Sequence, residues 1–472
     1  MELTRREVIS VAALAGVATF AGCNRVANFG YNINREPILP PDPKLNPAVA
    51  DLNRFGFGPN NPSLRDYNQL GREAWLQEQL NPTDQEPTHL VARLERLEIF
   101  HLGPWELRDW KEETILAQMQ QAAILRAVYS PWQLRERMVD FWTNHFNIFA
   151  KKGLAVYRKP WDERDVIRKN ALGNFKDMVL ASAKSTAMLI YLDQQNSTKT
   201  HPNENYAREL LELHTLGVQG GYTQRDVMEA ARAFTGWSEE RGFLNKKGAF
   251  LFVDEIHDKN PKTFLGHNLP GGRGIEDGED VVNIVATHPS TARFITQKLC
   301  DYFLGDPTNP IQPQMEASFL ATKGEIKPLV LLLANAFAKG AKPLLKRPFD
   351  FLASAIRAVD AATDGGLPVQ TALAQMGQPL YMWPMPDGFP IEPAAWTSSL
   401  LPRWNFASQL LASGLPGTEV DLERLGTQSG TEIAFRRSAQ NHDLTSLDSL
   451  IKSLPLATQT ALALASPEFQ WR

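Results

Sequence analysis

The chain has 472 residues, 43% of them hydrophobic and 22% charged, with 49 basic and 53 acidic groups leaving a net charge of −4. That balance excludes general intrinsic disorder and offers no concentrated basic surface for nucleic acid. The length excludes a single small module, because one core seldom grows past about 250–300 residues, so two packed regions or one multi-lobed domain are expected.

Residues 1–23 open with Arg5 and Arg6 behind Thr4, continue as the uncharged, Ala/Val/Gly-rich run Val8 to Gly22, and reach Cys23. This reads as an export signal rather than a fold element, and the arginine pair resembles a twin-arginine signal. The run is shorter than the roughly 20 residues needed to cross a bilayer as a helix. Phe20-Ala21-Gly22-Cys23 resembles a bacterial lipobox, in which the cysteine thiol takes a lipid. A plain cleaved signal and an uncleaved anchor are the alternatives. A lipidated Cys23 makes a membrane the expected partner and places the protein outside the cytoplasm, in the cell envelope or periplasm. Residues 24–50, with Pro37, Pro40, Pro41, Pro43 and Pro47, read as an extended tether. Cys300, the other of the two cysteines, then lacks a disulfide partner, and stability must come from core burial.

Helical signals dominate residues 51–472, predicting a mainly α fold: a large multi-helical domain with one small β hairpin or long loop insertion. Helices are expected over Asp109–Val128 and Pro131–Phe149, and from about Glu204 to Leu216 with Asn203 as N-cap and Gly217 as stop. Thr223 with Asp226 resembles a capping box opening a helix that ends near Gly236. Pro289 and Gly305 bracket another, Ser290–Leu304. Two stretches break the pattern. The insertion at 239–280 is glycine-rich with a β-like Ala249 to Val253, and 379–406 alternates prolines with Tyr381, Trp383, Phe389, Trp396 and Trp404, so no regular helix is expected through it.

On the helix after Met138, Asp140, Asn144 and Asn147 share a polar face, and His145 points among Phe141, Trp142, Phe146 and Phe149. His145 is either a core histidine or a ligand or acid–base group kept neutral by desolvation. Residues 203–214 hold the densest polar constellation: Glu204, Asn205, Arg208, Glu209 and Glu212 on one face, Tyr206, Leu210 and Leu213 on the other. Arg208 stands four residues from both Glu204 and Glu212, which reads as a solvated ladder. Alternatively the face turns inward, with Glu209 and Glu212 as metal ligands or an acid and a base of different pKa. His214, beside Leu210 and Ala207, reads as structural. His257-Asp258, with Lys262 and His267, is either a loop ligand set or a turn cap. Trp383 and Trp396 either wrap the helices or form a platform for sugar rings or a peptide. No His-Glu-x-x-His, Gly-x-Ser-x-Gly, P-loop or dinucleotide fingerprint is visible.

A family pattern runs through these segments. Phe141 to Phe146, Tyr191-Leu192-Asp193, Asn203 to Gly217, Gly221 to Val227 and Ala233 to Trp237 are part of it. So are His257-Asp258 with Lys262 and Leu265-Gly266, His288-Pro289 with Thr291 to Phe294, Trp383-Pro384 with Pro386-Asp387-Gly388, and Ser466 to Phe469. Together they resemble the domain-of-unknown-function 1800 family of bacterial proteins over most of residues 51–472, with Phe234 where leucine is frequent. The resemblance implies a large exported protein with an envelope or secretion role, and it carries no catalytic residues.

Two functions are therefore expected to compete. One is an exported envelope lipoprotein, an assembly or surface-binding module for an envelope polymer or exported protein, with Asn203, Arg208, Trp383 and Trp396 as binding candidates. The other is a metal-dependent, hydrolase-like enzyme using His145, Glu209, Glu212, Asn144 and Asn205, with a divalent metal held by His145, Glu209 and His257.

Overall fold

A computed structural model describes residues 46–83, 85–103, 106–240, 248–427 and 453–472. The export signal, Cys23 and most of the tether lie outside the described residues. The tether's expected end does not hold. Asn46 caps a helix Pro47–Arg54, its side-chain oxygen accepting from the Ala48 N–H at 2.9 Å, and Pro47 sits in the first turn where a missing N–H is harmless.

The fold is mainly α, as expected. Helices Glu112–Tyr129, Gln133–His145, Gln224–Ala233 and Pro289–Leu304 stand close to their predicted positions. Thr223 and Asp226 form the capping box, and Gly305 ends its helix at φ 68°. Four expectations are corrected. The helix after Pro131 stops at His145, so Asn147 lies beyond it. The segment from Glu204 is α-helical only to Glu209 and continues as a π-helix, Leu210–His214, whose extra residue per turn a 3.6-residue reading cannot reveal. In place of one hairpin there are three two-stranded antiparallel sheets among the described residues: Trp237–Glu239 with Phe250–Phe252, Lys262–Phe264 with His267–Leu269, and Ala362–Thr363 with Thr418–Glu419. The Pro/Trp segment also turns helical at Leu400–Leu411, because Pro402 falls in the first turn.

Buried side chains form two large cores. The first takes Leu134, Met138 and Trp142 from the helix Gln133–His145 together with much of residues 166–334. The second gathers distant pieces around the helix Pro348–Ala358: Phe57, Ile124, Phe351, Phe406, Leu464 and Phe469. A buried ionic seam joins them. Arg137, from the first core's helix, donates to Asp350 at the start of the second core's helix. Arg347 lies 3.4 Å from the same carboxylate and also pairs with Asp140, and Arg472 stands 3.5 Å from it. The Tyr302 hydroxyl donates to Asp140 at 2.6 Å and accepts from Arg347 at 3.1 Å. Three cations converge on Asp350, which holds its carboxyl far below the usual range despite burial.

Candidate functional site

The helix Gln133–His145 presents two faces, and each meets a different part of the chain. On one side His145, 2% exposed, sits edge-on to Phe146 and Trp142 at 4.6 and 5.5 Å and parallel to Phe141. Its Nε2 donates to the His214 carbonyl at 3.0 Å, which fixes Nδ1 as the bare nitrogen, and Nδ1 is buried without a partner. The π-turn brings the His214 ring inward to 6.2 Å from His145, also buried, with Nε2 unpartnered. Gly217 closes the turn at φ 78°, where a Cβ would lie 2.9 Å from the Phe294 ring.

Burial pushes the His145 pKa well below its ordinary value and that of His214 down to about 3, and the nearby Lys298 ammonium adds to both shifts. Lys298, half-buried on the helix Pro289–Leu304, is itself pushed down to about 8 by burial, against the pull of Asp387 and Asp301.

On the other side, Asn144 clamps the Pro/Trp loop. Its Nδ2 donates to the Phe389 carbonyl at 2.9 Å and its Oδ1 accepts the Phe389 N–H at 2.7 Å. Asn147 donates to the carbonyls of Trp383 and Met385, at 3.0 and 2.6 Å, and the Tyr191 hydroxyl to that of Pro384 at 2.9 Å. Gly388 makes the approach possible, since a Cβ there would stand 2.2 Å from the Asn144 carbonyl. Asn144 is thus a positioning residue whose side chain is occupied by backbone. Beneath the loop lies a cavity of about 50 Å³ lined by Glu136, Asp140, Asn147, Glu163, Arg168 and Tyr381, room for about one or two waters.

The clamp brings Asp387 within electrostatic reach of Glu209, Lys298 and Tyr191. The Glu209 carboxyl is half-buried and raised above its ordinary value, first by desolvation, then by Glu212 and Asp387. Glu212 accepts from the Tyr222 hydroxyl, whose pKa rises to about 12 with burial and that bond. The remaining candidates are structural or solvated. Asn203 caps its helix and donates to the Leu192 carbonyl at 2.8 Å. Asn205 is exposed. Arg208 forms the expected ladder, 3.9 Å from Glu204 and 3.6 Å from Glu212, with side-chain exposures of 37, 45 and 27%. Arg208→Ala should therefore change the unfolding free energy by less than about 1 kcal/mol, read from urea melts. A larger loss would place the ladder in the fold's core support.

The proposed metal trio is not brought together. His257 is buried in the insertion, its Nδ1 2.7 Å from the Thr235 carbonyl and its Nε2 3.4 Å from Asp277, which also binds Lys262 at 2.7 Å. His145 lies in the aromatic nest and Glu209 on the polar rim, and among the described residues no three His, Cys, Asp or Glu side chains gather as metal ligands. Trp396 is 4% exposed, with its indole N–H on the Pro390 carbonyl at 3.1 Å, so it is wrap rather than platform. Trp383 is half-buried and donates to Asp387 at 3.1 Å.

A family model described as Protein of unknown function (DUF1800) matches residues 51–471. The chain belongs to the DUF1800 family. No curated protein and no solved structure matches it. The segments that carried the resemblance meet in this DUF1800 chain: the end of the helix at His145, Tyr191, the π-turn, Tyr222 and the loop around Asp387 border one site. Asp387 and Tyr191 could have been found from that shared pattern. Lys298 carried no signal, since a lysine on a helix ordinarily marks the solvated face.

Proposed function

We propose that this DUF1800 protein is an exported cell-envelope lipoprotein, held at a membrane through Cys23, that serves as a non-catalytic assembly or surface-binding module. The observation supporting the non-catalytic part is that the amides an enzyme would use are committed to the chain itself: Asn144 holds Phe389 from both sides and Asn203 ties a helix start to Leu192. The anchor rests on the lipobox-like sequence around Cys23. No helix of the described residues is long and apolar enough to cross a membrane, and the other cysteine, Cys300, is a buried free thiol. Feeding cells a fatty-acid analogue should label the protein and leave the Cys23→Ala variant unlabelled; equal labelling of that variant would overturn the lipid anchor.

One observation favours an enzyme instead. Glu209, with its raised carboxyl, and Lys298, whose pKa burial lowers to about 8, are each within electrostatic reach of Asp387. That reading no longer needs a metal. Glu209→Gln that keeps its melting temperature and loses the cellular function would favour it over the binding module.

A further inference from the structure

Away from the Asp387 site, two cavities border the helix Thr88–Leu94, and His89 lines both. One measures about 390 Å³ and the other about 580 Å³, each within the roughly 300–1,000 Å³ typical of ligand sites. The smaller cavity forms a groove that holds Trp132, Tyr129, Glu78 and His89 together.

The floor of the groove is rigid. Gln133 accepts the Phe57 N–H at 2.9 Å and donates to the Ser130 carbonyl at 2.8 Å. Gln79 donates to the Pro131 carbonyl at 3.0 Å, and Arg357 to that of Gly58 at 2.7 Å. Aromatic surface stands above it. Trp132 is half-buried, and the Tyr129 ring is fixed by Arg93 at 4.4 Å and His89 at 5.7 Å. At the rim Glu78 is exposed, and Asp66 is 53% exposed. Five carboxylates and four guanidinium groups line the two cavities, so neither sign dominates. That balance disfavours a polyanion or a polycation, while ring faces beside acceptor-rich carboxylates match the apolar face and hydroxyl edge of a sugar.

We propose that the groove through Trp132, Tyr129, His89 and Glu78 binds an uncharged glycan chain, with sugar rings on Trp132 and Tyr129 and hydroxyls on Glu78. This rests on the surface-binding reading above and names its ligand, placing it away from Trp383 and Trp396.

The test is calorimetric titration of the detergent-solubilised full-length protein with cellotetraose, with the β-1,4-linked N-acetylglucosamine tetramer, and with tetraalanine. At least one tetrasaccharide should bind saturably, about ten-fold or more weaker in Trp132→Ala. Glu78→Gln, an exposed change that leaves folding intact, should also weaken binding and decides the matter if Trp132→Ala fails to fold. No saturable binding of either tetrasaccharide, binding unchanged in Glu78→Gln, or tetraalanine binding in their place would overturn the proposal. Soluble saccharide binding does not depend on where the protein is anchored, so failure here leaves the Cys23 reading standing, and failure of lipid labelling leaves the groove standing.

Discussion

Replacing Asp350 by asparagine is expected to remove about 3–5 kcal/mol of folding stability, the ordinary loss when one member of a buried ion pair is neutralised. The side chain is 1% exposed and receives Arg137, Arg347 and Arg472 together. With the carboxylate gone, three guanidinium groups face one another in a medium that screens them poorly. Urea unfolding at neutral pH measures the loss. Adding Arg137→Met to Asp350→Asn should restore part of it, because one uncompensated charge leaves the seam. A loss below about 1 kcal/mol would mean that water already reaches the seam and screens these charges.

The second large effect is acid lability. His214 is held neutral down to about pH 3, whereas an unfolded histidine takes up a proton near 6.5. Between those values the unfolded state binds a proton that the folded state does not, so stability falls as pH falls through this window and is fully present above about 6.5. Taken alone, His214 makes a difference of up to about 5 kcal/mol at the acid end, and His145, shifted in the same direction, adds to it. Carboxylates also titrate there, so the informative comparison is with His214→Phe. That variant fills the aromatic nest without the unpartnered Nε2, and it should match or exceed the parent's stability at neutral pH while unfolding less steeply in acid. Parallel melting-temperature curves for the two proteins between pH 6.5 and 3 would show that the imidazole is not the group that matters.

Much of the fold was readable from residues alone where the cause is local. Thr223 with Asp226, Pro289 with Gly305, and Asn203 each set a helix end through a nearby hydrogen bond or backbone preference, and each stands where expected. His145 was read correctly as facing aromatics, because helical periodicity decides that. The limits of that reading are equally physical. Helical periodicity puts Asn144 on the face it occupies but does not reveal the Phe389 backbone it holds, which lies 245 residues further along. The inward side of His214 was legible from its place beside Leu210, but the π-turn that carries it leaves no compositional trace. The separation of His257 from His145 and Glu209 follows from how the insertion folds on itself around Asp277, a tertiary fact with no signature in spacing.

The makeup of the second core bears on how the molecule is made. Its buried cluster includes Phe57, near the first described residues, and Leu464 and Phe469, near the last. Arg472 is knitted to Leu344 by two backbone bonds of 2.8 and 2.9 Å. Contacts of such sequence separation form slowly, and this core cannot close while residue 469 is still inside the ribosome. The first core, drawn mostly from residues 134–334, can condense as it emerges. Synthesis should thus pass through a stage with one half consolidated and the other waiting, its apolar helices 348–358 and 400–411 uncovered until residues 464–472 have emerged.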